Sequence, residues 1–383
     1  MPELPKARSA LSPESFDEIF SRGLEAHARA ETLAVGPIRR QFRIAGATVE
    51  FRVTSIALAM LFCDALAHIE IPDEGEPDFT FHIWDEASSG IDGPSLNGWE
   101  NTELSGLSEI TEHVGLNCYL QVAHDRITAL IGSDRYLQVD HDRAMVSAAH
   151  KPTGNAVVWL RSHNQGLKWE CGSPLLTMIN WWASEFGYLA VHAGSVGRAD
   201  GGVLIVGRSG SGKSHAAIAC LESDLFYVGD DHCLLSTNEH PISTSLYSTA
   251  KLFLTDLHRF PTLQKNEKEA LLTPEGKAVF FLKGILPDRL LPGVPVRAVL
   301  LSHFSGRRDT QVQPAHPSEA LLAMGSYNVL RWPSFGRTPL ARFASILRSL
   351  PCFRIETGTD ISQIPRAITS VLDRAQASES MTG

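Results

Sequence analysis

Hydrophobic and polar residues alternate through much of residues 1–165, and such alternation is typical of strands that bury one face. The alternating or apolar runs predict strands at 41–44, 48–53, 78–84, 116–122, 127–132, 135–139, 145–149 and 156–160, and helices at 12–20 and 56–68. Gly46 separates the first two strands and predicts a hairpin turn. We therefore predict that residues 1–165 form an α+β N-terminal domain with an antiparallel sheet.

The pattern changes in residues 166–383, where short apolar, β-branched runs are separated by helical segments and glycine-containing turns. These runs predict strands at 188–196, 203–206, 225–228, 233–236, 243–247, 278–282, 296–301 and 352–356, and helices at 173–187, 215–221, 318–324, 340–350 and 364–375. The charged segment 264–276 predicts a mobile surface loop. Residues 166–383 are thus predicted to form a second, α/β domain.

One run of the second domain carries a recognisable binding motif. It comprises Gly207, Arg208, Ser209, Gly210, Ser211, Gly212, Lys213 and Ser214, and it matches the phosphate-binding loop G-x-x-x-x-G-K-[ST] at every fixed position. The glycines let backbone N–H groups surround a phosphate, Lys213 places a cation on the outer phosphates, and Ser214 offers a hydroxyl to Mg²⁺. The run between a predicted strand and a predicted helix therefore indicates a site for ATP and Mg²⁺.

Two neighbouring acids follow the next predicted strand. Asp230 and Asp231 come directly after 225–228 and Gly229, shortly after the loop. One carboxylate could hold Mg²⁺, and the other could accept the proton of an attacking hydroxyl. Two ordinary turn aspartates are the alternative interpretation.

Taken together, these features resemble the catalytic domain of the bacterial HPr kinase/phosphorylase family. That family has a histidine shortly before its loop, which corresponds to His192, 15 positions before Gly207, and paired aspartates that correspond to Asp230 and Asp231. The resemblance covers about residues 185–235. It implies an α/β P-loop kinase domain of the HPr kinase/PEP carboxykinase-like type, which phosphorylates a serine hydroxyl of a protein or peptide.

The resemblance also implies roles for single residues. Asp230 would act as the base, with His192 and Lys213 as the other catalytic residues, whereas Asp231 and Ser214 would lie at the metal. The family's second signature, a Glu-rich and Arg/Gly-rich stretch, has no counterpart here. In this respect the chain is more similar to the HPr kinase homologues found with ribosomal and lasso peptide biosynthesis.

The segment 246–252 occupies the position of the missing signature. Within it, Lys251 is the best candidate for a second cation on the phosphates, and a plain exposed lysine is the alternative. The sequence does not decide whether a reverse, phosphorylase reaction exists.

Composition and charge narrow the remaining function classes. The formal net charge of −9 argues against a nucleic-acid partner. The sequence has no run of about 18 apolar residues, so we expect no membrane span. The first residues lack the apolar core of a signal peptide, and the six scattered cysteines form no C-x-x-C pair, so we expect a cytoplasmic protein.

The acceptor of the phosphoryl group stays open at this point. A peptide or protein serine is favoured, and a small hydroxyl compound is the alternative on the same core. A nucleotide-dependent binding or scaffold protein, and an ATPase without an acceptor, are two further alternatives. The first domain could bind a substrate or partner or form a homo-oligomer.

Overall fold

The computed structural model describes residues 12–73, 75–96, 110–113, 118–123, 126–164, 171–273, 275–329 and 337–382. The chain divides into two compact units, each a mixture of helices and strands. The first comprises Met1–Asp64 and Glu70–Pro174, and the second comprises Ala65–Ile69 and Leu175–Gly383. The predicted boundary between 165 and 166 lies outside the described residues.

Within its described residues, the first unit contains a ten-stranded sheet in the order β3-β1-β2-β4-β10-β9-β8-β7-β6-β5. Its strands are β1 (Ile38–Ile44), β2 (Ala47–Val53), β3 (Glu70–Ile71), β4 (Phe79–Asp85), β5 (Ile110–His113), β6 (Cys118–Ala123), β7 (Arg126–Ile131), β8 (Arg135–Asp140), β9 (Met145–His150) and β10 (Asn155–Leu160). Its helices are α1 (Pro13–Leu33), α2 (Ile56–Phe62) and α3 (Glu86–Ser89). The predicted antiparallel sheet is in fact mixed, because β4 runs parallel to both β2 and β10. A parallel partner needs a crossover connection, and the chain between β2 and β4 supplies one that includes α2.

Local signals account for the start of this unit. The Ser12 hydroxyl accepts a hydrogen bond from the Ser15 N–H at 3.1 Å and caps α1, which begins at Pro13. Ala45 and Gly46 have φ of 52° and 82° and form the tight turn between β1 and β2. The inner face of α1 buries Phe16 and Phe20 in the same hydrophobic core as Trp84 of the sheet.

The second unit has a nine-stranded sheet among its described residues. Seven strands follow the order β11-β15-β16-β20-β13-β12-β14; outside this order, β22 pairs with β20, and β21 pairs with β22. Its strands are β11 (Tyr188–Val191), β12 (Gly194–Arg198), β13 (Gly201–Val206), β14 (Phe226–Gly229), β15 (Cys233–Ser236), β16 (Ile242–Ser245), β20 (Gly293–Phe304), β21 (Gln311–Pro314) and β22 (Cys352–Thr357). A separate three-stranded sheet joins β17 (Thr249–Phe253), β19 (Lys277–Phe281) and β18 (Leu271–Leu272). The helices are α4 (Leu176–Ala183), α5 (Lys213–Ala219), α6 (Pro261–Lys265), α7 (Leu282–Ile285), α8 (Pro317–Val329), α9 (Arg337–Ser349) and α10 (Gln363–Thr382).

Helices cover both faces of the second unit's large sheet. Val203 and Ile205 of β13 share one core with α5 and α10, whereas Leu204 and Val206 share the other core with α8 and α9. Burial on both faces explains why β13 is a continuous apolar run rather than an alternating one.

Two predictions for this unit differ from the structure. The predicted strand 188–196 is two strands, β11 and β12, which separate at His192 and Ala193 and pair with different neighbours. The predicted loop 264–276 contains the end of α6, a short 3₁₀ turn and β18. Among the described residues, no helix combines the length and the apolar character needed to cross a membrane.

Candidate functional site

The glycine-rich loop lies at the edge where parallel strands end. β13 runs parallel to β20, and β20 runs parallel to β22, so their carboxyl ends meet at one edge of the sheet. The chain leaves β13 at Gly207, turns through the loop and enters α5 at Lys213. Open α/β sheets bind ligands at this edge.

The first and last positions of the loop both favour glycine, the first for lack of space and the last for its backbone conformation. A Cβ on Gly207 would lie 2.3 Å from the Ser211 Oγ and 3.0 Å from the Ser302 carbonyl oxygen. Gly212 has φ of 92°, in the left-handed region that favours glycine. The hydroxyl of Ser211 is buried and has no hydrogen-bond partner within the described part of the chain. The loop is therefore a narrow backbone cradle with an unused polar atom inside it.

Lys213 is folded back onto this cradle. Its side chain is only 6% exposed, and its Nζ donates to the carbonyl oxygens of Gly207 at 3.0 Å and Arg208 at 3.1 Å. Burial lowers the pKa of this ammonium, while the charges of Asp230 and Asp231 oppose the shift. The lysine thus lies within electrostatic reach of both predicted acids.

Asp230 faces the protein interior at the end of β14. It is 2% exposed, and its Oδ1 accepts the N–H of Asp231 at 2.8 Å. Burial raises the pKa of Asp230 to about 7, the neighbouring Asp231 adds to this rise, and the Ser214 hydroxyl opposes it. Its Oδ2 is buried without a hydrogen-bond partner among the described residues. Such an atom is costly unless a cation, a proton or a ligand compensates it.

Asp231 has the opposite environment, although it is the next residue. Its side chain is 29% exposed, its Oδ1 lies 3.1 Å from the His192 Nε2, and its Oδ2 lies 2.9 Å from the Lys251 Nζ. Burial would raise the pKa of Asp231, but Lys251, His232 and His192 hold it well below the usual range. Asp231 therefore stays ionised wherever Asp230 titrates.

The backbone at these acids explains why two neighbours can serve two environments. Asp231 has φ of 69°, an uncommon conformation for a residue with a side chain. Such conformations persist where the surroundings hold them, and they concentrate at functional sites. The turn directs Asp230 towards Ser214 and Asp231 towards His192 and Lys251.

The groups around Asp231 come from separate elements of the second unit. His192 sits in the break between β11 and β12, where the Ala193 N–H bonds the Val191 carbonyl oxygen at 3.0 Å. Lys251 comes from β17, in the separate three-stranded sheet.

The structure brings the predicted residues Lys213, Ser214, Asp230, Asp231, His192 and Lys251 to one locality. It places Ser214 beside Asp230 rather than beside its predicted metal partner, Asp231. Ser209 and Gly210 lie on the exposed outer turn of the loop.

Two residues of the site were not predicted. His232 lies 3.8 Å from the Asp231 Oδ2, and its ring centroid is 5.4 Å from that of His192. Its adjacency to the paired acids was the only signal available. Ser302, whose hydroxyl donates to the Ser211 carbonyl oxygen at 2.9 Å, supports the cradle from β20. It is 91 positions from Ser211 in sequence, and no local pattern marks it.

Comparisons with known proteins add little to this geometry. No protein-family model and no curated protein matches the chain. Among solved structures, the chain is similar to the Hpr(Ser) kinase/phosphatase from Coxiella burnetii, with 14% sequence identity and a TM-score of 0.28. The match covers 51% of this chain and 99% of that one. A similarity this distant does not establish a family or an activity.

Proposed function

We propose that the chain is a P-loop kinase that transfers the terminal phosphoryl group of ATP to an alcohol, a serine hydroxyl of a peptide or protein. One observation carries the proposal: the backbone cradle, with its buried Lys213, lies beside Asp230, whose pKa is raised, and Asp231, whose pKa is lowered. Phosphoryl transfer needs this combination, because catalysis consists of holding the phosphates, neutralising their charge and accepting one proton.

The loop residues bind and neutralise the phosphates. Backbone N–H groups of the loop surround them, and the Lys213 ammonium offsets the charge that develops on the transferring group. The acceptor oxygen forms a bond to the terminal phosphorus, the bond from that phosphorus to the ADP oxygen breaks, and the acceptor's proton moves to a carboxylate.

Asp230 is the proposed proton acceptor, because a general base is most effective when its pKa lies near the working pH. Its pKa of about 7 meets this condition. Asp231, held by His192 and Lys251, keeps a fixed negative charge next to it. The alternative assignment exchanges the two roles, with Asp231 as the proton acceptor. Its side chain is 29% exposed, so an incoming hydroxyl would reach it more easily than it would reach Asp230.

The donor atoms present also fit Mg²⁺. The described residues contain no cluster of three His, Cys, Asp or Glu side chains suited to a metal. Mg²⁺ in kinases needs no such cluster, because it takes one or two protein oxygens together with phosphate oxygens and water. The Ser214 hydroxyl would hold it in either assignment. The second ligand would be the carboxylate that does not accept the proton; in the first assignment this is Asp231, which does not lie beside Ser214 and would act through a water molecule. When bound, the ion would supply charge neutralisation at the phosphates.

The test is transfer of labelled phosphate from ATP in the presence of Mg²⁺. We would offer serine-containing peptides, free serine and no acceptor in parallel. Lys213→Ala should abolish ATP binding and transfer, whereas Lys265→Ala, which removes an exposed lysine of α6, should change neither. Asp230→Asn should bind ATP normally and lose transfer by about 100-fold or more.

Each alternative has its own outcome in the same experiment. Loss of transfer in Asp231→Asn with full activity in Asp230→Asn would exchange the two roles. Label on free serine alone would indicate a small-molecule kinase, and phosphate release without an acceptor would indicate an ATPase. ATP binding without transfer or release would indicate a nucleotide-dependent binding protein and would contradict the kinase proposal.

A further inference from the structure

An exposed aromatic side chain lies at the mouth of the cradle, and the proposed function assigns it no role. Phe304 is the last residue of β20, and it is 46% exposed. β20 lies directly beside β13 in parallel register, with Val206 opposite Leu301. Phe304 in turn lies opposite Thr357, the last residue of β22. Single exposed phenylalanines are ordinary, but this one stands where three parallel strands end.

Phe304 is on the same face of the sheet as the loop helix. Ala298 and Leu300 of β20 belong to the core that includes α5, and side chains two and four positions further along a strand share that face. A Cβ on Gly212 would lie 3.8 Å from the Cβ of Phe304. The aromatic side chain therefore begins next to the point where the loop enters α5.

The acids lie on the other side of the loop. In the sheet order β20-β13-β12-β14, the loop follows β13, Phe304 ends β20 and Asp230 follows β14. A nucleotide whose terminal phosphate points to Asp230 must direct its nucleoside away from that residue. The side that remains is the one formed by the ends of β20 and β22.

From this arrangement we propose that Phe304 stacks against the base of the bound nucleoside triphosphate, and that the ends of β20 and β22 form the nucleoside subsite. The inference rests on the proposed function, since it takes the acids to mark the terminal phosphate. Stacking needs an accessible ring with a free face, and it tolerates different bases because each has a π-face. Phe304 thus contributes affinity for the nucleoside and none for the phosphates.

The test compares ATP with inorganic tripolyphosphate, which has the phosphates but no nucleoside. Calorimetric titration should show that Phe304→Ala weakens ATP binding about tenfold and leaves tripolyphosphate binding unchanged. Phe304→Tyr should restore ATP binding, because it keeps the aromatic face. The matched control is Phe253→Ala, since Phe253 is also 46% exposed but lies on β17, the strand that brings Lys251 to Asp231. This control should bind both ligands as the unaltered protein does.

Several results would overturn the inference. Unchanged ATP binding by Phe304→Ala would do so, and so would an equal loss for both ligands, which would mean that the residue only supports the loop. A selective loss of ATP binding by Phe253→Ala would place the base on the side of the acids. If the unaltered protein binds ATP and the Phe304 variants behave as expected but no acceptor is phosphorylated, the kinase proposal fails and the stacking subsite stands. If the unaltered protein binds neither ligand, both fail.

Discussion

At the residue scale, two neighbouring carboxylates respond to pH in opposite directions. The pKa of Asp230 rises on folding from 3.8 to about 7, so the folded state holds a proton that the unfolded chain releases. Between about pH 4 and 7 the folded state therefore loses stability as the pH rises. The pKa of Asp231 falls well below 3.8 on folding, so its contribution is present above that value and is lost as the pH falls.

We predict that Asp230→Asn stabilises the protein at alkaline pH and that Asp231→Asn destabilises it. A shift of about three units corresponds to a few kcal/mol in this direction. The increase in Tm for Asp230→Asn should be largest near pH 8 and disappear near pH 4, whereas the decrease for Asp231→Asn should persist at pH 8. Thermal unfolding in EDTA from pH 4 to 8.5 measures both without a bound divalent cation. The same Tm change for Asp230→Asn at every pH would show that its pKa is not raised.

At the scale of secondary-structure elements, the sequence predicted the loop and its flanking strand and helix well, because the motif and the apolar run are local signals. It missed the break at His192 and Ala193, since strand-forming residues lie on both sides of it and only the pairing with different strands separates β11 from β12. It also missed the parallel pairings of β4, because strand direction depends on the whole connection rather than on the residues of the strand. Resemblance predicted that His192 would lie near the base and the phosphates. The contact of Lys251 with Asp231 was not predicted, since the two residues come from separate elements and Lys251 was expected on the phosphates.

The contact between β12 and α5 gives a prediction at this scale. A Cβ on Gly194, the first residue of β12, would lie 3.2 Å from the Cβ of Ala217 in α5. The two further methyl groups of Gly194→Val should push α5 away from the sheet, at a cost of about 2 kcal/mol, and should weaken ATP binding together with stability. The control is Gly284→Ala in α7, where nothing lies within 4 Å, and which should raise stability by up to about 0.5 kcal/mol. Denaturant titration and ATP titration of both variants measure these effects. Normal ATP binding by Gly194→Val would mean that α5 does not depend on this contact.

At the scale of the whole molecule, the second unit is assembled from two separate parts of the chain. The Ala65 carbonyl oxygen accepts the Ser248 N–H at 2.9 Å, and the His68 Nε2 lies 2.5 Å from the Ser245 Oγ. Burial lowers the pKa of His68 to about 3, so it is neutral in the folded protein. Hydrophobic periodicity identifies helices and strands, but it does not show which core a short segment such as Ala65–Ile69 joins. Division of the sequence at a single position therefore cannot assign this segment to the second unit.

The role of this segment can be tested by removing it. A fragment of residues 175–383 retains the cradle and both acids but lacks Leu66, which is fully buried, and Ile69, which is 6% exposed. Burial of each such side chain contributes about 1.5–3 kcal/mol, so the fragment should unfold well below the full chain and bind ATP weakly or not at all. A synthetic peptide of residues 63–71 added to the fragment should raise its Tm and restore ATP binding, whereas the same peptide with Leu66→Ser should not. If the fragment unfolds at the temperature of the full chain and ignores both peptides, the segment is dispensable, and residues 175–383 fold as a unit by themselves.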